Sequence, residues 1–231
     1  MAIALSRPMT IAFAASLLVG ALGFAHTRTG AALVSGVNRL VHGHCPFGYD
    51  QAMSPAERER ARARFAVLHR AERRATNRPA LGFTLDQTTR PEVVAQLASQ
   101  GVHCVPGQGM SDLTCQHVPS AALPGGALPA PERTLWFTFG TKAQLLSVVA
   151  VSQAPSAQVI SDAFVGTGNA LKDHAGSATT RSGGADPQTL SQGLLRQASA
   201  EFEFSNYYAV ERAANMGKSY VFTEEYRSLP D

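Results

Sequence analysis

From Met53 to Ala75 the chain alternates short apolar and charged runs with a period close to that of an α-helix. Ala61, Phe65, Leu68, Ala71 and Ala75 recur at spacings of three and four, with arginines around the rest of the wheel. Ser54 stands where an N-cap belongs, Pro55 at the first helical position and Glu57 where a capping box needs its carboxylate. The pattern predicts a helix over about 55–75. A second helix is predicted after Thr89, which acts as N-cap to Glu92. Val93, Val94 and Leu97 face inward, and Gly101 is the stop.

Beyond Gly101 the period changes to two. Strands are predicted at Val102 to Val105, Asp112 to Val118, 133–139 and 143–153, the last two joined as an antiparallel hairpin through "GTKA". The Pro-, Gly- and Ala-rich stretch "PSAALPGGALPAPE" reads as a long exposed loop. A third helix follows Pro155 to about 174, with Val159, Phe164 and Leu171 inward. A Gly/Ser-rich loop with room for a short strand comes next. "PQTLSQGLLRQAS" then predicts a fourth helix, and two terminal strands, "SAEFEFSNYYAVER" and "KSYVFTEEYRS", are joined through "AANMG".

Segregated helices and antiparallel strands define an α+β protein, a helix-loop-helix packed on an antiparallel sheet. The order of elements suggests a duplicated unit, although no repeat is visible residue by residue. The expected divisions are a leader at 1–25, a tether at 26–53, a first α+β unit at 54–153 and a second at 154–231 packed on it.

The N-terminus bears on compartment. Arg7 precedes an uncharged run from Pro8 to Ala25, with Gly23 and Ala25 at the −3 and −1 positions of a signal-type cleavage site. Cleavage and retention as a membrane anchor both imply export, which places the protein in the periplasm or cell envelope. Cys45 follows His42, Gly43 and His44, so no lipobox is present.

Composition narrows the partners. The net charge of +3 is concentrated between Glu57 and Arg78, where eight Arg face three Glu, and the rest of the chain is close to neutral. A nucleic-acid footprint spread over the whole domain is therefore not indicated. The basic helix face, with Arg58, Arg62 and Arg73, is either a solvated surface or a contact to an anionic membrane.

"HCVPGQGMSDLTCQH" admits two chemistries. His103, Cys104, Cys115 and His117, with His44 and Cys45, offer metal-ligand atoms, but a strand points His103 and Cys104 to opposite faces. A disulfide needs only that Cys104 and Cys115 face each other across a hairpin, and an oxidising compartment favours it. The disulfide is the expected state, with no metal and no cofactor assigned, and Cys45 is left as the odd thiol.

Glu201 and Glu203 share one face of a strand while Phe202 and Phe204 fill the other. A turn near Asn215 would set Glu203 opposite Arg227 as a surface ion pair. Tyr207, Tyr208, Tyr220 and Tyr226 form the most aromatic segment and are candidates for a protein-binding patch; packing under the helices is the alternative. "NMGKSYV" has arginine where a phosphate-binding loop requires glycine, and no hydrolase elbow or zinc-protease motif occurs.

"TTRPEVVAQLASQG" and "LWFTFGTKAQLLSV" resemble the capped helix and the aromatic strand, turn and strand of small outer-membrane lipoproteins of the SmpA/OmlA type, and the related tandem fold of the β-lactamase inhibitor proteins. The resemblance covers about residues 84–152 and departs from the family in its longer leader, its missing lipobox and its large loop. It implies an envelope protein that binds other proteins without catalysis. The rival class is an exported hydrolase, which would need a cleft gathering His103 or His117 with Glu201, Glu203 or Glu224.

Overall fold

The computed structural model describes residues 54–107, 111–123 and 132–230. The leader, the tether, His44 and Cys45 lie outside the described residues, as does most of the Pro/Gly-rich loop. No helix among the described residues is long and apolar enough to cross a membrane.

The described residues form ten strands and four α-helices. Helix α1 spans Pro55–His69, followed by a small hairpin of β1 (Pro79–Ala80) and β2 (Phe83–Thr84), then α2 (Arg90–Ser99). Four strands follow: β3 (Cys104–Pro106), β4 (Leu113–Val118), β5 (Arg133–Phe139) and β6 (Leu145–Ala154). The second half contains α3 (Ala157–His174), β7 (Thr180–Ser182), α4 (Pro187–Ser191), β8 (Gln197–Glu203), β9 (Tyr207–Asn215) and β10 (Tyr220–Ser228).

Strands β3 to β10 form one antiparallel sheet in the order β3-β4-β5-β6-β10-β9-β8-β7. Each half is a four-stranded meander, and the two meet at their last strands. Val151 lies opposite Thr223 and Ala150 opposite Glu224 along a register of eight residue pairs. Three-residue strands, β3 and β7, end the sheet on both sides.

Alternation along the strands separates two faces. One carries Leu135, Phe137, Val148, Phe202, Tyr207 and Phe222, all fully buried. On it lie α2, through Val93 and Leu97, and α3, through Ile160, Phe164 and Leu171. Val94 and Val159, expected inward, are 40% and 39% exposed because each stands one position off its helix's buried stripe.

Helix α1 packs on the other face, so α1 and α2 are not a helix-loop-helix stacked on one side. Its capping box forms as expected, with the Ser54 backbone N–H donating to Glu57 at 2.9 Å and the Glu57 N–H donating to Ser54 Oγ at 3.3 Å. Of the expected stripe, Phe65 and Ala61 are half-buried, but Leu68 is 78% exposed, and Arg62, Ala66 and His69 complete the inward side. The helix stops at His69, short of 75. Residues 70–78 turn around the end of the sheet, where the Arg73 carbonyl accepts from Ser205 N–H at 2.8 Å. Ala75 is buried there without being helical.

Asn206 fastens this crossing. Its side chain accepts from Ala75 N–H at 2.9 Å and donates to the Ala75 carbonyl at 3.3 Å, while its own carbonyl accepts from Leu229 N–H at 3.1 Å. Nearby, the Tyr207 hydroxyl donates to the Pro79 carbonyl at 2.6 Å.

Two expectations from the second half are corrected. The fourth helix is only Pro187–Ser191, capped by Asp186, and Gln197–Glu203 is strand. The Asn215 side chain donates to the Leu190 carbonyl at 2.9 Å and ties down the end of that helix. The segment expected as one strand from 199 to 212 is a hairpin, β8 and β9, folding at Ser205–Asn206.

Replacing Asn206 with Ala removes both side-chain bonds and leaves the buried Ala75 N–H and carbonyl unpaired. Each unpaired group costs roughly 1–3 kcal/mol, so chemical denaturation should show a loss on the order of 2–4 kcal/mol. An unchanged midpoint would mean that the crossing does not depend on this bond pair.

Candidate functional site

Cys104 and Cys115 are directly opposite in the β3–β4 ladder, with Cα atoms 4.3 Å apart, and they are disulfide-bonded. The two thiols are therefore not available to a metal. His103 is exposed, and His117, at positive φ on the β4 bulge, is exposed beside Glu132 at 3.2 Å. Neither histidine meets Glu201, Glu203 or Glu224, which stand on β8 and β10. A shallow concavity beside α2, lined by Phe83, Thr84, Gln87 and Glu92, holds no histidine and one carboxylate. That carboxylate is occupied as the α2 cap, accepting from Thr89 N–H at 2.7 Å.

The tyrosines separate by burial. Tyr207, Tyr208 and Tyr226 are at most 3% exposed, and only Tyr220 is half-buried, its hydroxyl 3.1 Å from Ser191 Oγ. Tyr207 and Tyr226 lie in the main core, and Tyr208 lies under α1. Those three therefore hold elements together and present no ring to a partner. Burial, then the carboxylates of Glu201, Glu225 and Glu203, push the Tyr208 hydroxyl up to about 12.

The arginines are also engaged within the chain. Arg58 pairs with Asp112, and Arg62 donates to the Ser228 carbonyl at 3.1 Å and to Ser228 Oγ at 2.8 Å. Arg73 donates to the Ser177 carbonyl at 3.1 Å and stacks over Phe204. Their role in the described structure is to fasten α1 and the segment after it. Arg60, Arg64 and Val67 take the outward side of the helix.

The contacts of α1 trace a line across the strands, from Asp112 through Arg227 and Tyr208 to Glu203. Farther along the same face no described helix covers the sheet. Trp136 and Val149 are paired there, as are Thr134 and Val151, with Thr223 and Val221 on the adjoining strand. All six are half-buried. An apolar, β-branched strip around the single tryptophan therefore runs over β5, β6 and β10.

At the far end of the α1 line, three ligand-type side chains come together. His69 Nδ1 lies 3.1 Å from Glu203 Oε1, and Glu201 joins them with one ligand atom from each residue within 4.8 Å of the others. The pairing expected between Glu203 and Arg227 does not occur. Tyr208 stands between them in the ladder, and Arg227 pairs with Glu225 and lies over Phe65.

Beneath α3 the core contains charge. Glu224, 1% exposed, accepts from Arg133 Nε at 3.1 Å, Thr167 Oγ1 at 3.2 Å and the Tyr226 hydroxyl at 2.9 Å. Its cross-strand neighbour Glu211 is fully buried, and among the described residues neither of its carboxylate oxygens has a hydrogen-bond partner. Burial, reinforced by the charge of Glu224 and opposed by Arg181, raises Glu211 to about 8. Glu211 is thus mostly protonated at neutral pH, and Arg133 pairs with Glu224. Gly168 of α3 makes room for it, since a Cβ there would lie 2.6 Å from Glu211 Oε1.

No protein-family model, curated protein or solved structure matches the chain.

Sequence reasoning missed His69 as a site residue because its neighbours Phe65 and Arg62 read as an ordinary helix face. It missed Glu211 because the pattern "YYAVERAAN" does not say which face is buried.

Two outcomes follow from these contacts. Replacing both Cys104 and Cys115 with Ala opens an eleven-residue separation, and denaturant unfolding should show a loss of about 3 kcal/mol in the chain-entropy account. Glu211 has a folded value near 8 against an ordinary 4.5, so the folded state binds the extra proton. Its contribution is fully present below about pH 4.5 and is lost as pH rises towards 8. Glu211→Gln should flatten that slope and stabilise the protein at pH 8 by on the order of 3 kcal/mol. Identical pH profiles for the two proteins would show that Glu211 is ionised in the fold.

Proposed function

We propose that this is an exported cell-envelope protein, periplasmic or anchored by its N-terminal apolar segment, that binds a protein partner and performs no catalysis. The observation that carries the reading is the strip of Trp136, Val149, Val151 and Val221, which no described helix covers. Aromatic and β-branched side chains framed by threonines match the apolar centre and polar rim of protein interfaces.

Two further observations support it. The Cys104–Cys115 disulfide belongs to an oxidising compartment, in keeping with the signal-type leader. The meeting of two four-stranded meanders at β6 and β10 fits a duplicated unit, the arrangement implied by the resemblance to the tandem β-lactamase inhibitor fold. The binding surface in this reading is the strip around Trp136 and not the tyrosines.

The test combines compartment and surface. The protein is recovered from the envelope fraction and alkylated without reduction. Its intact mass should then show an exported chain with one alkylated cysteine. A photo-crosslinking residue placed at Val151 should yield a discrete protein adduct, and the same residue at Asp162, exposed on the α3 side, should yield none. A cytosolic chain with three alkylated cysteines would overturn the export reading. Equal crosslinking from both positions, or none from Val151, would overturn the binding face.

A further inference from the structure

We propose that His69, Glu201 and Glu203 form a binding site for a divalent transition-metal ion of the zinc type, which pins the C-terminal end of α1 to strand β8. The three side chains come from two elements far apart in sequence, and each supplies one ligand atom within 4.8 Å of the other two. Glu201 and Glu203 are two residues apart on one strand and project from the same face. His69 descends onto them from the last turn of the helix.

A zinc ion holds nitrogen and oxygen ligands at about 2.0–2.2 Å, which places its ligand atoms roughly 3.3–3.6 Å apart. The His69–Glu203 separation of 3.1 Å is slightly shorter than that, and the ligand atoms of all three residues lie within 4.8 Å of one another. One imidazole and two carboxylates leave a fourth position open to solvent.

The surroundings favour a cation. His69 is held in orientation by stacking on Phe65, with ring centroids 4.3 Å apart, and by the Tyr208 ring at 4.7 Å. All three ligand side chains are half-buried, which limits competition from water. Among the described ion pairs, the carboxylates of Glu201 and Glu203 meet one arginine, Arg212, and that contact is long at 3.8 Å. The carbonyl end of α1 adds partial negative charge at His69.

The site differs from the metal reading of the sequence. That reading relies on cysteines and on His103 and His117; this one uses none of them. Its consequence is structural: an ion here reinforces the fastening of α1 to the sheet, alongside the Arg58–Asp112 pair, the Arg62–Ser228 bonds and the His69–Glu203 contact.

The probe is Zn(II) alone, titrated calorimetrically into the full chain in detergent. His44→Ala/Cys45→Ser serves as a control for ligands in the N-terminal segment. One equivalent should bind to the wild type and to the control alike. His69→Ala and Glu203→Gln should each weaken binding by more than about tenfold, with far-UV circular dichroism unchanged. Zn(II) should also raise the unfolding temperature of the wild type and leave that of His69→Ala where it is. Cobalt(II) in place of zinc should give a spectrum without thiolate charge transfer. Absence of binding, or binding lost in the His44/Cys45 control and kept in His69→Ala, would overturn the proposal.

Discussion

The pairing of β6 with β10 is the contact on which the rest of the structure depends. Each meander alone is a four-stranded sheet with one apolar face and too little helix to cover it. Joined along eight residue pairs, the two present a single broad face, and α3 lies across the seam with Phe164 near Phe222 and Thr167 on Glu224. The register also decides where the buried charges fall. Glu224 on β10 faces Ala150 of β6 and reaches diagonally to Arg133 on β5, which faces Ser152 of β6. A shift of one residue would send Glu224 and Glu211 to the α1 face and put Glu225 into the core.

That seam explains why a charged network survives in a well-packed interior. A buried ion pair contributes little net stability, but one left incomplete is costly. Glu224 is surrounded by three donors, and Glu211 is relieved by holding a proton instead of a partner. The polar centre therefore specifies register more than it adds stability. The same logic applies at the edge of the molecule, where Asn206 satisfies both backbone groups of Ala75 and lets an irregular segment lie buried.

Much of the architecture was legible from local rules. Ser54 and Glu57, Thr89 and Glu92, and the alternation in "RTLWFTF" announced their elements because cap and pleat chemistry act within a few residues. What the chain did not disclose was which side faces what. Leu68 reads as buried and is exposed, whereas Arg62 reads as surface and is drawn down onto Ser228. Phe204 and Tyr207 are three residues apart instead of two, and that break in alternation, over Ser205 and Asn206, was the available sign of the β8–β9 turn. The cysteine pair could be weighed from hairpin geometry, but a site made by His69 and a strand more than a hundred residues away has no local signature.

The two shortest strands in the sheet stand at its margins. β3 has three residues and ends in Pro106, which has no N–H to offer, and β7 has three residues bracketed by glycines 176 and 183. Neither margin supplies a long run of open backbone groups on which a foreign strand could assemble. The molecule is thereby protected from growing into ribbons through its own edges, and any macromolecule that recognises it by its sheet must read side chains rather than join the ladder.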